Sequence, residues 1–190
     1  MSAPLRVVAV VGTTGPVSKT KALTELILSR LAERTQISVD VIEIHALNPG
    51  LGSAIERGQL DERAGAAVRA AESADVLIAA SPVFRGSYSG LFKHFFDFVD
   101  QYALAGKPVL LVATGGTDRH ALVIDQALRP LFAFFQAWTA PMGIYLNSGD
   151  FDGTTVLNPE VYERIEVALD DIIPVARFLA ASSGEPAAAG

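Results

Sequence analysis

Hydroxyl side chains and one ammonium group are concentrated between an apolar segment and a helical pattern near the start of the chain. They belong to Thr13, Thr14, Ser18, Lys19 and Thr20. The valine-rich run Val7–Val11 before them is typical of a buried parallel strand, and the apolar spacing after Lys19 predicts a helix. The start of a helix presents unpaired N–H groups and a positive dipole, which attract anions. We therefore predict a phosphate site, because the hydroxyls exceed what one N-cap requires; the alternative is an ordinary N-cap flanked by surface threonines.

The loop lacks the glycines of the common nucleotide-binding motifs. A Walker A loop needs glycine where this chain has Thr13 and Ser18, so Lys19–Thr20 matches only the end of that motif. Gly12 and Gly15 do not supply the three-glycine fingerprint of dinucleotide-binding folds. A hydroxyl-rich loop without those glycines suits a terminal phosphomonoester, held by side-chain oxygens and backbone amides.

The composition limits the class of protein and of partner. The 190 residues carry a net charge of −6, 50% of them are hydrophobic and none is cysteine. The size favours one globular domain, and the negative charge argues against nucleic acid and anionic membranes as partners. The absence of cysteine excludes disulfides and thiol redox chemistry, and the three histidines lie too far apart in the sequence to suggest a metal site. Neither a secretory signal nor an apolar run of membrane-spanning length is recognisable, so we expect a cytoplasmic protein.

Apolar runs and helical patterns alternate along the chain. The predicted strands are Leu5–Val11, Ser38–Ile44, Val76–Ala80, Pro108–Ala113 and Met142–Leu146. The predicted helices are Lys19–Arg34, Leu60–Ser73, Tyr88–Tyr102, Arg119–Trp138 and Pro159–Ala180. This alternation is typical of a parallel sheet covered on both faces. We predict a flavodoxin-like three-layer α/β/α sandwich whose five-stranded parallel sheet has the order 2-1-3-4-5, in one domain over residues 1–181 followed by a disordered tail over 182–190.

Three loops lie where a ligand binds in such a sheet, outside the carboxyl ends of the strands. They are Thr13–Thr20 after the first strand, Ser81–Gly90 after the third and Thr114–Asp118 after the fourth. Each contains small residues that allow the backbone to approach a ligand closely, and each precedes a predicted helix. The sequence therefore predicts one binding site built from these loops.

Several short segments carry a pattern more specific than any single loop. They are Ser81–Lys93 (SPVFRGSYSGLFK), Ala113–Gly116 (ATGG), Asp118–Leu122 (DRHAL) and Leu128–Phe132 (LRPLF). Between about Val7 and Phe135 the chain resembles NAD(P)H-dependent FMN reductases of the flavodoxin-like fold, especially the reductase components of two-component alkanesulfonate and methanesulfonate monooxygenases. The resemblance implies hydride transfer from nicotinamide C4 to flavin N5, which the cofactors perform without a protein acid or base. It also implies FMN and NAD(P)H as ligands and a flavin-dependent monooxygenase as the partner that receives reduced FMN.

The resemblance assigns a role to each of the three loops. The residues implied in binding the FMN phosphate are Thr13, Ser18, Lys19 and Thr20. Those implied along the ribityl chain and the isoalloxazine ring are Pro82, Val83, Phe84 and Arg85. Those implied at the pyrimidine edge of the flavin are Thr114, Gly115 and Gly116, and the backbone N–H groups of Gly115 and Gly116 would stabilise negative charge on the reduced ring. No side chain is predicted to be a catalytic acid or base; His120 is interpreted as positional, and His45, His94 and Glu43 as surface or structural groups.

The predicted helix Arg119–Trp138 is apolar around nearly its whole circumference. A sheet covers only one side of a helix, so we expect the other side to pack against a second subunit in a dimer or tetramer. Pro130 lies inside this segment and predicts a kink or bulge. Related sulfonate-linked reductases are associated with a π-type insertion that carries tyrosine or histidine where this chain has Gln126, so the glutamine departs from that pattern.

Two other activities are compatible with the same fold. One is an electron-transfer flavodoxin, although flavodoxins usually enclose the flavin between aromatic side chains and the second loop offers mainly Phe84 and Arg85. The other is a quinone or azo-dye reductase with FMN as a fixed prosthetic group. Because the ring is not obviously enclosed on both faces, we expect FMN to behave as an exchangeable substrate. The choice between NADH and NADPH is left open.

Overall fold

The computed structural model describes residues 3–183 as a mainly parallel sheet with helices on both faces. The strands are β1 (Leu5–Val11), β2 (Ile37–Glu43), β3 (Val76–Pro82), β4 (Pro108–Gly115), β5 (Trp138–Thr139), β6 (Ile144–Asn147), β7 (Phe151–Asp152) and β8 (Thr155–Val156). The α-helices are α1 (Lys19–Arg34), α2 (Glu62–Glu72), α3 (Gly90–Asp97), α4 (Arg129–Phe134) and α5 (Glu160–Ser183). β7 and β8 form a separate antiparallel hairpin.

The order of the main sheet is β2-β1-β3-β4-β5, which confirms the predicted topology. The number of strands differs, because two short strands share the place beside β4 and the sheet has six strands rather than five. β5 pairs with the start of β4, and β6 pairs with its end. Between them the chain leaves the ladder, and the Arg129 guanidinium donates to Ala140 O at 3.0 Å and to Pro141 O at 3.1 Å. These carbonyls therefore obtain a side-chain partner where a continuous strand would use backbone bonds.

Alternating side chains of each central strand enter two separate cores. In β1, Val8 and Val10 pack with residues of α2, α3 and α4, whereas Val7 and Ala9 pack with residues of α1 and α5. All four side chains are completely buried. Two-sided burial explains the nearly continuous apolar sequence of the strand and confirms the three-layer arrangement.

Several helix boundaries differ from the predicted ones because polar side chains cap the helices. The Asp61 side chain accepts from Ala64 N, so α2 begins after Asp61, and the Ser89 side chain accepts from Phe92 N at the start of α3. The predicted disordered tail began at residue 182, but α5 continues to Ser183, and residues 184–190 lie outside the described part of the chain. Within residues 3–183, no helix is both long enough and apolar enough to cross a membrane.

The prediction of one helix over Arg119–Trp138 is wrong. The segment consists of a 3₁₀ turn (Asp118–His120), a π-helical turn (Ile124–Leu128) and the short helix α4, and Trp138 belongs to β5. The N–H of Arg129 donates to Ile124 O, which is the longer ring of a π-helix. Pro130 follows directly and has no N–H to continue the α-helical ladder. The predicted bulge beside Pro130 is therefore confirmed, and Gln126 lies within it.

Candidate functional site

The three predicted loops meet at the carboxyl edge of the sheet and enclose a shallow cleft. The cleft consists of two neighbouring cavities of about 240 and 180 Å³. The first is lined by Ser18, Lys19, Thr20, Pro82, Val83, Thr114, Gly115, Gly116 and Ser148. The second is lined by Thr13, Thr14, Gly15, Val17, Ser18, Pro82 and Phe84. Of the residues predicted for the site, only Arg85 does not line the cleft.

Size alone does not identify this site. Cavities of about 300 and 310 Å³ lie beside β2 and α2 and around Lys107 at the start of β4. Neither of them joins the loops that follow β1, β3 and β4, whereas the cleft joins all three. In parallel α/β sheets this edge is where ligands bind, so we take the cleft as the candidate site.

The first loop presents backbone donors at the start of α1. Ser18 is the N-cap of that helix, and its hydroxyl accepts from Lys21 N at 3.3 Å. In the described part of the chain, the backbone N–H groups of Thr13, Thr14, Gly15, Val17 and Ser18 have no protein acceptor. The Ser18 hydroxyl can still donate its own hydrogen while it accepts from Lys21. Free N–H groups, a free hydroxyl donor and the helix dipole together suit an anion.

Two predicted phosphate ligands have partners within the protein. The hydroxyl groups of Thr20 and Thr114 lie 2.6 Å apart and both residues are buried, so this contact ties the first loop to the third. The Lys19 ammonium donates to Ser148 O at 3.2 Å and lies 5.4 Å from the centre of the Phe151 ring. The ammonium therefore lies at the edge of the cleft and is held by the segment after β6.

Thr13 begins the first loop, directly after Gly12. Its side chain is buried, and its hydroxyl lies 3.3 Å from His45 Nδ1. Behind the histidine, Glu43 accepts a 2.7 Å hydrogen bond from Lys21, which raises the pKa of that lysine above its usual value. These contacts give His45 and Glu43 structural partners, as the sequence suggested.

The second loop is held to the first by serine hydroxyls. Ser89 Oγ donates to Gly12 O at 2.8 Å, and Ser81 Oγ accepts from Ser89 N at 3.0 Å. The tip of the loop is a tight turn closed by bonds in both directions between the backbones of Phe84 and Ser87. Arg85 occupies the turn with φ of +53°, an uncommon conformation for a residue with a side chain. The turn presents Phe84, 45% exposed, beside the cleft, and the exposed Arg85 follows it at the tip of the loop without lining either cavity.

The third loop is held by residues that the sequence analysis did not include. The Tyr145 hydroxyl donates to Thr117 O at 2.6 Å, and Asn147 Nδ2 donates to Asp118 Oδ1 at 2.6 Å. Ser148 lines the cleft beside the third loop. Their position was predictable in principle, because the fifth strand of a parallel sheet also ends at the carboxyl edge. The loop after that strand therefore lies at the same edge as the three predicted loops.

The electrostatics of the cleft favour an anionic ligand over a metal ion. None of the described side chains that line its two cavities is a carboxylate, and no metal-binding group of acidic, histidine or cysteine side chains occurs among residues 3–183. The backbone N–H groups of Gly116 and Thr117 also have no acceptor in the described part of the chain. The cleft therefore combines donor groups of the first and third loops with the apolar surface of Pro82 and Val83. This combination fits a molecule that has both a phosphate and a ring bearing acceptor atoms.

The chain is similar to known FMN reductases. Residues 5–152 match the family model described as "NADPH-dependent FMN reductase". The chain is 45% identical over 175 residues to an FMN reductase (NADPH) of Pseudomonas aeruginosa and, equally, to the NADH-dependent FMN reductase SfnE of Pseudomonas putida, covering 92% of this chain and 94% of each relative. Among solved structures it resembles the apo form of an NADH:FMN oxidoreductase, EmoB, with a TM-score of 0.80 and 31% identity over 96% of this chain and 92% of that one.

Proposed function

The chain belongs to the NADPH-dependent FMN reductase family, and from that premise we propose that it catalyses reduction of FMN by NADH or NADPH. The observation that supports this most directly is the cleft, where donor groups of the first and third loops accompany apolar surface and no carboxylate is present among the described lining residues. When both cofactors are bound, they supply the hydride chemistry themselves, from nicotinamide C4 to flavin N5. The protein has to align the two rings and stabilise the charge that develops.

We assign the phosphate of FMN to the first loop. The free N–H groups before α1 and the Ser18 hydroxyl would bind the phosphate oxygens, and Lys19 at the rim would add a positive charge. The hydrogen bond between the buried side chains of Thr20 and Thr114 stabilises the first loop against the third. Thr13 contributes through its backbone, because its side chain lies on His45.

We assign the isoalloxazine ring to the space between the second and third loops. Pro82 and Val83 supply apolar contact, and Val83 N donates to Thr114 O at 2.8 Å, which fixes the distance between these loops. The free N–H groups at Gly116 and Thr117 would bind acceptor atoms of the pyrimidine end. Phe84 and Arg85 at the exposed tip would contact the ring or the incoming nicotinamide.

The openness of the cleft supports FMN as a substrate that exchanges. Phe84 is the only aromatic side chain among the described residues that line it, so the ring is not enclosed between two aromatic groups. One face must stay accessible for the nicotinamide, and reduced FMN must then leave. In this proposal the reduced FMN passes to a flavin-dependent monooxygenase of the sulfonate type, in the cytoplasm, where NAD(P)H is available.

We also propose that the enzyme is a dimer or tetramer formed through the segment 119–138. Its outer side exposes Leu122 and Phe134, which are 59% and 65% exposed in the single chain. Large exposed apolar side chains on one segment are typical of subunit interfaces. Leu131 of the same segment is half-buried against the core, so Phe134 is the better probe of the interface.

A steady-state assay tests the main proposal. Oxidation of NADH and of NADPH is followed with excess free FMN, and then with riboflavin and with a quinone in place of FMN. We expect rapid oxidation that depends on free FMN with at least one nicotinamide. Oxidation that proceeds with a quinone and ignores added FMN would instead indicate a fixed prosthetic group. Adding a sulfonate monooxygenase and measuring sulfite release tests the transfer of reduced FMN.

A further inference from the structure

Tyr145 lies on β6, outside the three loops, and holds the third loop from behind. Its hydroxyl donates to Thr117 O at 2.6 Å, and the N–H of His120 donates to the same carbonyl at 3.2 Å. The peptide bond is planar, so fixing Thr117 O also fixes the direction of the N–H of Asp118 on the opposite side of that bond. The tyrosine therefore controls the orientation of the peptide between Thr117 and Asp118, which directly follows the cleft-lining residues Gly115 and Gly116.

Two further contacts from the same segment restrain the turn. Asn147 Nδ2 donates to Asp118 Oδ1 at 2.6 Å, and Ser148 Oγ donates to Gly115 O at 3.4 Å. Asn147 is itself fixed, because its N–H donates to Asp150 Oδ2 at 2.7 Å. Tyr145, Asn147 and Ser148, at the end of β6, thus hold the turn Gly115–Asp118 at three points.

The tyrosine also explains the need for glycine at the start of the turn. A Cβ atom added to Gly115 would lie 2.3 Å from the Tyr145 hydroxyl oxygen, which is far inside van der Waals contact. The hydroxyl therefore occupies the volume that a side chain at this position would fill. Burial, and then the charges of Asp118 and Asp150, raise the pKa of Tyr145 above its usual value, so the hydroxyl remains protonated and able to donate throughout the neutral range.

Several N–H groups of this turn have no partner among the described residues. Those of Gly116, Thr117 and Asp118 find no acceptor in the part of the chain that the structure describes. Donors that are fixed in advance stabilise developing negative charge without reorganising during the reaction. Two-electron reduction of a flavin places negative charge on the pyrimidine end of the ring.

We propose that Tyr145 is a positioning residue that fixes these donors toward the pyrimidine end of FMN and thereby favours binding of the reduced over the oxidised flavin. The proposal rests on the proposed function, since it concerns the same cleft. A role in folding alone would weaken binding of oxidised and reduced FMN equally, whereas the positioning role affects the reduced form more. It also predicts equal effects on FMN and riboflavin, which share the ring and differ in the phosphate.

The test is the variant Tyr145→Phe, with Tyr102→Phe as a matched control. Tyr102 is 64% exposed and lies in the turns before β4, away from the cleft. Dissociation constants are measured anaerobically for oxidised and reduced FMN and for riboflavin. Because one hydrogen bond is lost, we expect weakening of about 3- to 10-fold for the reduced form beyond that of the oxidised form. That factor corresponds to a two-electron potential about 14–30 mV lower for the bound flavin.

A second variant tests the contact from the other side. Gly115→Ala should displace the turn and weaken binding of reduced FMN, and adding Tyr145→Phe should recover part of the loss because the clashing oxygen is gone. Additive losses in the double variant would overturn the proposal, as would equal weakening of both oxidation states in Tyr145→Phe. If the wild-type protein binds no FMN and oxidises no NAD(P)H, the proposed function itself fails. Normal wild-type binding with an unchanged Tyr145→Phe refutes only the inference.

Discussion

Ser18 provides the sharpest test of the phosphate site because its hydroxyl has two separable tasks. It accepts from Lys21 N as the N-cap of α1, and its own hydrogen remains free for a ligand. Alanine at an N-cap costs about 0.5–2 kcal/mol of stability, whereas glycine costs only a few tenths. Removal of a hydrogen bond to a charged group costs about 1.5–3 kcal/mol, which is roughly a 10- to 150-fold loss of affinity. Ser18→Ala should therefore lose both stability and FMN affinity, and Ser18→Gly mainly the affinity.

The assay combines thermal unfolding with titration of FMN and of riboflavin. For a chain of this size, a loss of 1 kcal/mol lowers Tm by about 2–4 °C, so the two variants should separate in Tm. Ser18→Ala and Ser18→Gly should bind FMN with similar affinity. Each should lose less affinity for riboflavin than for FMN, because riboflavin has no phosphate. If wild-type protein binds riboflavin as tightly as FMN, the first loop is not a phosphate site. If Ser18→Gly binds FMN normally, the phosphate is held without this hydroxyl.

The remaining predictions concern the interface, the second loop, pH dependence and flavin exchange. Phe134→Glu should convert an oligomer to a smaller species by light scattering without loss of helical circular dichroism, because this side chain is 65% exposed in the single chain; a wild-type monomer would contradict it. Arg85→Gly should be at least as stable as the wild type because φ is +53° there, and both it and Arg85→Ala should raise the KM for NAD(P)H or FMN. Burial alone would raise the pKa of Glu72, but hydrogen bonds from Arg57 and from Asp100 N lower that pKa below its usual value. The Glu72 carboxylate therefore stabilises the fold above the ordinary carboxyl pKa of about 4, and this stabilisation is lost as the pH falls through the lowered pKa. Glu72→Gln should therefore unfold at lower temperature at neutral pH, with a difference from the wild type that shrinks in acid. Purified protein should be nearly colourless and bind FMN with a Kd on the order of micromolar, near typical substrate constants; yellow FMN that survives dialysis would refute exchange.

The sheet and its carboxyl edge could be predicted from the sequence because their signals are local and strong. β1 and α1 have their predicted bounds, since a buried valine run and a serine N-cap leave few alternatives. The family resemblance rested on the second and third loops and is confirmed by the family match. The roles assigned to individual residues remain predictions, although the structure brings nearly all of them to one cleft.

The contacts between side chains in the site could not be predicted, because they depend on elements distant in sequence. The partner of Thr20 is Thr114, and the partners of Lys19 are Ser148 and Phe151. A motif shows that a hydroxyl or ammonium group is present at a loop, and it does not show which of these groups already has a partner. Tyr145 was not considered for the same reason, since only the three-dimensional structure places it against Thr117.

The segment around Arg129 shows how local and distant effects combine. Pro130 made a break in the helix predictable, but the nature of the break depends on the neighbouring strands. The Arg129 guanidinium binds Asp125 at 2.9 Å within the π turn and also Thr139 Oγ1 at 2.8 Å beyond it. With its bonds to the two carbonyls between β5 and β6, this one side chain stabilises both the π turn and the division of the last strand. The two departures from the predicted fold, a broken helix and a split strand, are therefore stabilised by the same side chain.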